Sequence, residues 1–189
     1  DLDAANQRRL ASKETLLHNI DRLETMVKEG LPLTPEKYAR TRRIADVQEL
    51  KRIAEEANWI TPVLLDRYTE IYQRELEIAS SNAYFFARIP VKDSLGIDRP
   101  TWAECLMLGN RGVYYRTIDG QNVGIFENVG NGAPRYEFRH DITKPERILI
   151  EARIADHRVE DWEDKIAVLK AKQDILNRGG GIQAVYDSL

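Results

Sequence analysis

The amino-acid sequence predicts an α+β protein that is mostly helical. It reads as an N-terminal three-helix region, a small antiparallel β-meander and a long C-terminal amphipathic helix packing back on the N-terminal helix. Three observations predict this class. Apolar residues recur at helical spacing up to about residue 80. Short β-rich runs separated by glycine turns follow. A last apolar stripe then alternates steps of four and three from 148 to 176.

The elements follow in order. Leu16, Ile20, Leu23 and Val27 mark one face of a helix over residues 2 to about 29, stopped by Gly30. Its first turns are more polar and carry no such stripe. Thr34-Pro35-Glu36 is a start signal: a hydroxyl to cap free N–H groups, a proline where its missing N–H costs nothing, and an acid at the positive end of the dipole. The helix it starts runs to about Ala57 and buries Ile44, Val47, Leu50, Ala54 and Ala57. Thr61-Pro62 repeats the signal, and Leu64, Leu65, Tyr68, Ile71, Tyr72 and Leu76 mark a third amphipathic helix.

The character changes near Ser80. Residues 84–89 fit a buried strand or a last helical turn, ended in either case by Pro90. Thr101 and Glu104 have capping-box spacing, which predicts a short helix over 102–108 closed by Gly109. Residues 112–118 and 122–127 flank Asp119-Gly120, a favoured hairpin dipeptide, and the turn at 130–134 leads to a strand from Tyr136 to Arg139. The closing helix is expected from about Pro145 to Asn177. Its seam holds Ile148, Ala152, Ala155, Val159, Trp162, Ile166, Leu169, Gln173 and Leu176, and Ile150, Ile154, Val168 and Ile175 widen it. The domain reading is therefore a helical region over 1–82, a β-rich head with one short helix over 83–141, and the long helix over 142–178, together one cooperative domain. A flexible tail, 179–189, carries Tyr186 and Leu189.

Composition narrows the function classes. Apolar residues at 42% and charged residues at 31% are ordinary for a globular chain of 189 residues, which can bury a core without metal or disulfide. A net charge of −3 runs against the basic excess that phosphate contacts require. One cysteine, Cys105, excludes an internal disulfide and fits a reducing, cytoplasmic setting; the chain starts at Asp1 rather than Met, so a removed targeting segment is compatible with it. No run reaches the roughly 18 apolar residues of a membrane span.

Candidate chemistry is sparse. Cys105 with His140, and Glu104 beside them, is the one arrangement that could place a thiol near a base, with Arg116 and Arg139 nearby. The three histidines lack metal-pair spacing, so no metal and no cofactor is expected. Lys37, Arg40 and Arg43 form the densest basic cluster and could meet nucleic acid or an acidic protein. Much sequence is instead invested in amphipathic helices. The leading expectation is a non-enzymatic interaction or assembly protein, with protein partners or a homo-oligomer held through Ile148, Val159, Trp162, Ile166 and Leu169 and through the tail residues Tyr186 and Leu189. The alternatives are a small enzyme or ligand-binding domain near Cys105 and His140, and nucleic-acid binding through the basic helix at 37–43.

Overall fold

A computed structural model describes residues 2–158 and 162–179. The class is α+β, and the sheet is a five-stranded antiparallel meander. The chain divides into two compact units, one ending at Ser81 and the other beginning at Asn82.

The first unit is helical. Helix α1 spans Leu2–Glu29, a single 3-10 turn spans Glu36–Tyr38, α2 spans Arg40–Glu56 and α3 spans Pro62–Ser80. The stripe read from the sequence is the buried face of α1: Leu16, Ile20, Leu23 and Val27 join Val47, Leu50 and Ala54 of α2 and Leu64 and Ile71 of α3 in one core. The two Thr-Pro signals diverge. Thr61 caps α3 by accepting from the Leu64 N–H. Thr34 instead donates to the Tyr38 carbonyl, so the chain makes the 3-10 turn and re-enters the α-helix at Arg40. Lys13 reaches from α1 to the carbonyl oxygens of Glu55 and Ala57 at 2.7 and 2.8 Å, placing a cation on the negative end of α2.

The second unit carries strands β1 Asn82–Lys92, β2 Asp98–Leu108, β3 Gly112–Thr117, β4 Val123–Asn128 and β5 Tyr136–Arg139, followed by helices α4 Lys144–Asp156 and α5 Trp162–Asn177. Residues 84–89 belong to a strand, and Pro90 does not end it: Pro90 pairs with Pro100 where β2 has only β1 beside it, so no second ladder loses a bond there. The short helix expected over 102–108 is a strand. Ala103 to Met107 are buried without a break, because β2 is central and covered on both faces. A fully buried strand loses the alternation that distinguishes it from a buried helix. Gly109 therefore closes a hairpin rather than a helix, at φ 55°.

The single long closing helix is corrected to two. Thr143 and Glu146 form a complete capping box that starts α4 at Lys144. The helix stops at Asp156, with His157 at φ −108° and ψ 4°, and α5 begins at Trp162. The buried face of α4 is Ile150 and Ile154, which the sequence reading placed off the seam, and they pack with Leu106 of β2 and Val123 of β4. In α5 the seam does face inward at Ile166, and Gln173 accepts the Trp102 backbone N–H at 3.0 Å. The one polar member of the seam thus docks α5 on β2.

Candidate functional site

Adjacent strand residues point to opposite faces, and this separates the expected Cys105, Glu104 and His140 site. Cys105 lies on the face shared by Phe85 and Tyr115. It is fully buried, its Sγ directed at the Ala103 carbonyl at 3.8 Å, and burial pushes the thiol well above its ordinary range. Such a thiol stays protonated and is no nucleophile. His140 sits at the rim of the same sheet, its Nδ1 2.5 Å from the Tyr115 hydroxyl and its ring stacked on Phe138. The base is in hydrogen-bond reach of a tyrosine held protonated by burial.

Glu104 is on the other face and completely buried. Arg158 grips it in a two-pronged pair at 2.7 and 3.0 Å, the Tyr84 hydroxyl donates at 2.9 Å, and Arg116 donates at 3.3 Å. Burial pushes this carboxyl up, but the Arg158 and Tyr84 hydrogen bonds and the Arg158 and Arg116 charges outweigh it and hold it below the ordinary range. Arg158 lies just beyond the end of α4, and its guanidinium covers the Trp162 ring at 4.2 Å. The cluster ties β1, β2 and β3 to the α4–α5 junction. Every oxygen of the carboxylate is engaged, which suits a structural tie rather than a general acid or base.

The basic helix is also committed internally. Arg43 is buried and pairs with buried Glu75 at 3.0 Å. Arg40 donates to the Lys28 and Gly30 carbonyls at the end of α1, and Lys37 lies 4.6 Å over the Tyr38 ring. Arg43 therefore leaves the surface cluster. Of the expected seam residues, Ile148 is exposed, Trp162 and Leu169 are half-buried and Ile166 is buried, while Val159, Tyr186 and Leu189 lie outside the described residues. No three His, Cys, Asp or Glu side chains converge as metal ligands among the described residues, and no described helix is long and apolar enough to cross a membrane.

No protein-family model, curated protein or solved structure matches the chain.

The strongest feature is a groove between α1 and α3. One open cleft of about 610 Å³ is lined by Arg8, Arg9 and Ser12 of α1, Trp59 and Ile60 of the α2–α3 loop, and Leu65 of α3. A second, about 360 Å³, is lined by Asn19, Arg22, Leu23 and Met26 of α1 and by Tyr68 and Tyr72 of α3. Low-numbered residues of one helix meet low-numbered residues of the other, so α1 and α3 run parallel along it. Trp59 is 57%, Leu65 45%, Tyr72 40% and Leu76 48% exposed.

Sequence reasoning missed this surface because it read Leu65, Tyr72 and Leu76 together with Leu64, Tyr68 and Ile71 as the markers of one amphipathic helix. The signal was present. Helix α3 carries two apolar stripes about 100° apart: Leu64, Ile71 and Ile78, which are buried, and Leu65, Tyr68, Tyr72 and Leu76, which line or extend the groove. One buried interface needs only the first.

Proposed function

We propose that the chain is a non-enzymatic interaction or assembly protein, and that its helical unit is the part that engages a protein partner. The observation that carries this reading is the groove between α1 and α3, in which Leu65, Tyr68 and Tyr72 offer a linear apolar stripe beside Trp59. An apolar stripe of this kind, with tryptophan, tyrosine and arginine together, has the composition of an interface centre. Burial of Cys105, which keeps its thiol protonated, supports the same reading, since that thiol is the one nucleophile that the sequence offered. Contacts through the helices of the second unit, at exposed Ile148 and half-buried Trp162, belong to the same proposal as a secondary surface.

The test is site-specific photo-crosslinking in the full chain. A benzophenone side chain at Leu76 is expected to trap a defined partner that one at exposed Ala45 of α2 does not, and a Leu65→Asp change is expected to abolish the product. The partner, purified, should then bind the unlabelled chain in calorimetry with Kd in the micromolar range or tighter. Equal labelling from both positions, or a product that survives Leu65→Asp, would remove the interaction reading.

A further inference from the structure

The groove has one apolar wall and one basic wall, and this restricts what can lie in it. On α3 the residues Leu65, Tyr68, Tyr72 and Leu76 fall within one stripe, with Tyr68 and Tyr72 stacked at 6.1 Å. On α1 the facing stripe is Arg8, Ser12, Thr15, Asn19, Arg22 and Met26, at steps of four, three, four, three and four. That is the spacing of a helix–helix seam, yet its residues are polar and basic until Met26. The hydroxyls of Ser12 and Thr15 are turned back onto the carbonyls of Arg8 and Ala11, so the wall presents its charge through the arginines. No acidic side chain lines either cleft; the nearest acids, Asp21 and Glu29, line a neighbouring cleft with Arg22 and Met26, and Asp21 there is paired with Lys51.

Size adds a second restriction. From Arg8 to Met26 the groove follows α1 for about 27 Å, at about 1.5 Å per residue. A straight helix of about 18 residues has this length. A fourth helix laid between α1 and α3 would complete a four-helix arrangement around the existing core.

From the polar wall and the apolar wall together we infer that this groove receives one amphipathic helix from a partner protein, apolar on the side toward α3 and acidic on the side toward α1. This rests on the interaction reading above and names the class of its partner. The acids would fall about fourteen residues apart, the separation of Arg8 from Arg22, which returns to nearly the same side of a helix. A basic-flanked helix would meet Arg8, Arg9 and Arg22 as like charges, and a wholly apolar one would leave three arginines covered without partners.

The test uses the full chain and three synthetic 18-residue helical peptides that share one leucine stripe and carry flanks of glutamate, glutamine or lysine. Fluorescence anisotropy is expected to show the glutamate peptide binding at least tenfold more tightly than the lysine peptide. Arg8→Glu with Arg22→Glu is expected to reverse that order, and Leu65→Asp to abolish binding of all three. Both arginines are on the surface, so circular dichroism and urea midpoints should match the parent chain. Equal or tighter binding of the lysine peptide would overturn the acidic partner while leaving protein interaction standing. The same holds if none of the peptides binds and the chain has twice its own mass by light scattering, reverting on Leu65→Asp; the occupant is then a second copy. Salt-sensitive retention of an 18-nucleotide oligothymidine that is lost in Arg8→Glu, with no peptide binding, would overturn both readings.

Discussion

Glu104 and the Arg43–Glu75 pair show two outcomes of burying charge. Glu104 has four donated hydrogen bonds and two cations, enough to keep its charge inside the protein. Removing that charge leaves Arg158 and Arg116 facing a neutral side chain, so Glu104→Gln is expected to lower the urea unfolding free energy by about 3 kcal/mol. The Arg43–Glu75 pair is poorer. Burial pushes Glu75 up and Arg43 down, and neither Arg43 Nε nor Glu75 Oε1 finds a protein partner. Glu75→Leu alone is expected to cost about 3–5 kcal/mol, because Arg43 is then stranded, whereas Arg43→Met with Glu75→Leu should come within about 1 kcal/mol of the parent or exceed it. A double-mutant cycle in urea decides between a pair that stabilises and one that only fixes how α2 meets α3.

Acid sensitivity follows from the same residues. Glu146 is held at about 2, chiefly by the Thr143 backbone N–H and hydroxyl and by Arg139, and Glu104 also titrates below the ordinary 4.5. Carboxyls depressed in the folded state lend stability that is complete above about pH 4.5 and is lost as pH falls toward their folded values. Glu75, raised by burial, acts with the opposite sign. The urea midpoint should therefore fall between pH 5 and pH 3, and Glu104→Gln with Glu146→Gln should flatten that fall. An unchanged slope in this variant would assign the acid sensitivity to other carboxylates.

At the scale of elements, local signals were legible where they needed no knowledge of neighbours. The α1 stripe, the Thr61 cap and the Asp119-Gly120 hairpin all appear where the sequence placed them, because each is decided within one turn or one periodicity. The errors share a cause in tertiary cover. Buried on both faces, β2 reads like a short apolar helix. The stripe across 148–176 is periodic through a break, because Ile150 and Ile154 answer to the sheet while Ile166 serves a separate helix. Glu104 could be read as a helix N3 acid because spacing carries no information about the distant Arg158 that holds it. The true capping box is at Thr143, and Thr143→Ala is expected to cost about 1 kcal/mol in urea unfolding. Gly124 makes a sharper prediction about β4. A Cβ there would run into the Tyr115 hydroxyl and the Arg139 carbonyl, so Gly124→Ala should cost about 1–3 kcal/mol and loosen the Tyr115–His140 contact, seen as a shift of the His140 ring signals.

At the scale of the whole molecule, the net charge of −3 and the basic wall of the groove oppose one another. An acidic helix approaching from afar meets a weakly repulsive molecule and finds attraction only within about 8 Å of the arginines at physiological ionic strength. Steering of the usual kind, in which salt slows association steeply, requires the attractive field to extend beyond that distance. Stopped-flow binding of the glutamate-flanked peptide should therefore show an association rate that changes less than about threefold between 20 and 150 mM salt. The dissociation rate should rise over the same range as the arginine contacts are screened. Arg8→Glu with Arg22→Glu should act mainly on dissociation, since two screened charges on one wall of a groove hold a bound helix more than they guide a distant one. A tenfold fall in the association rate with salt would mean that the basic wall governs the approach as well as the hold, and would place the attractive field well outside the groove.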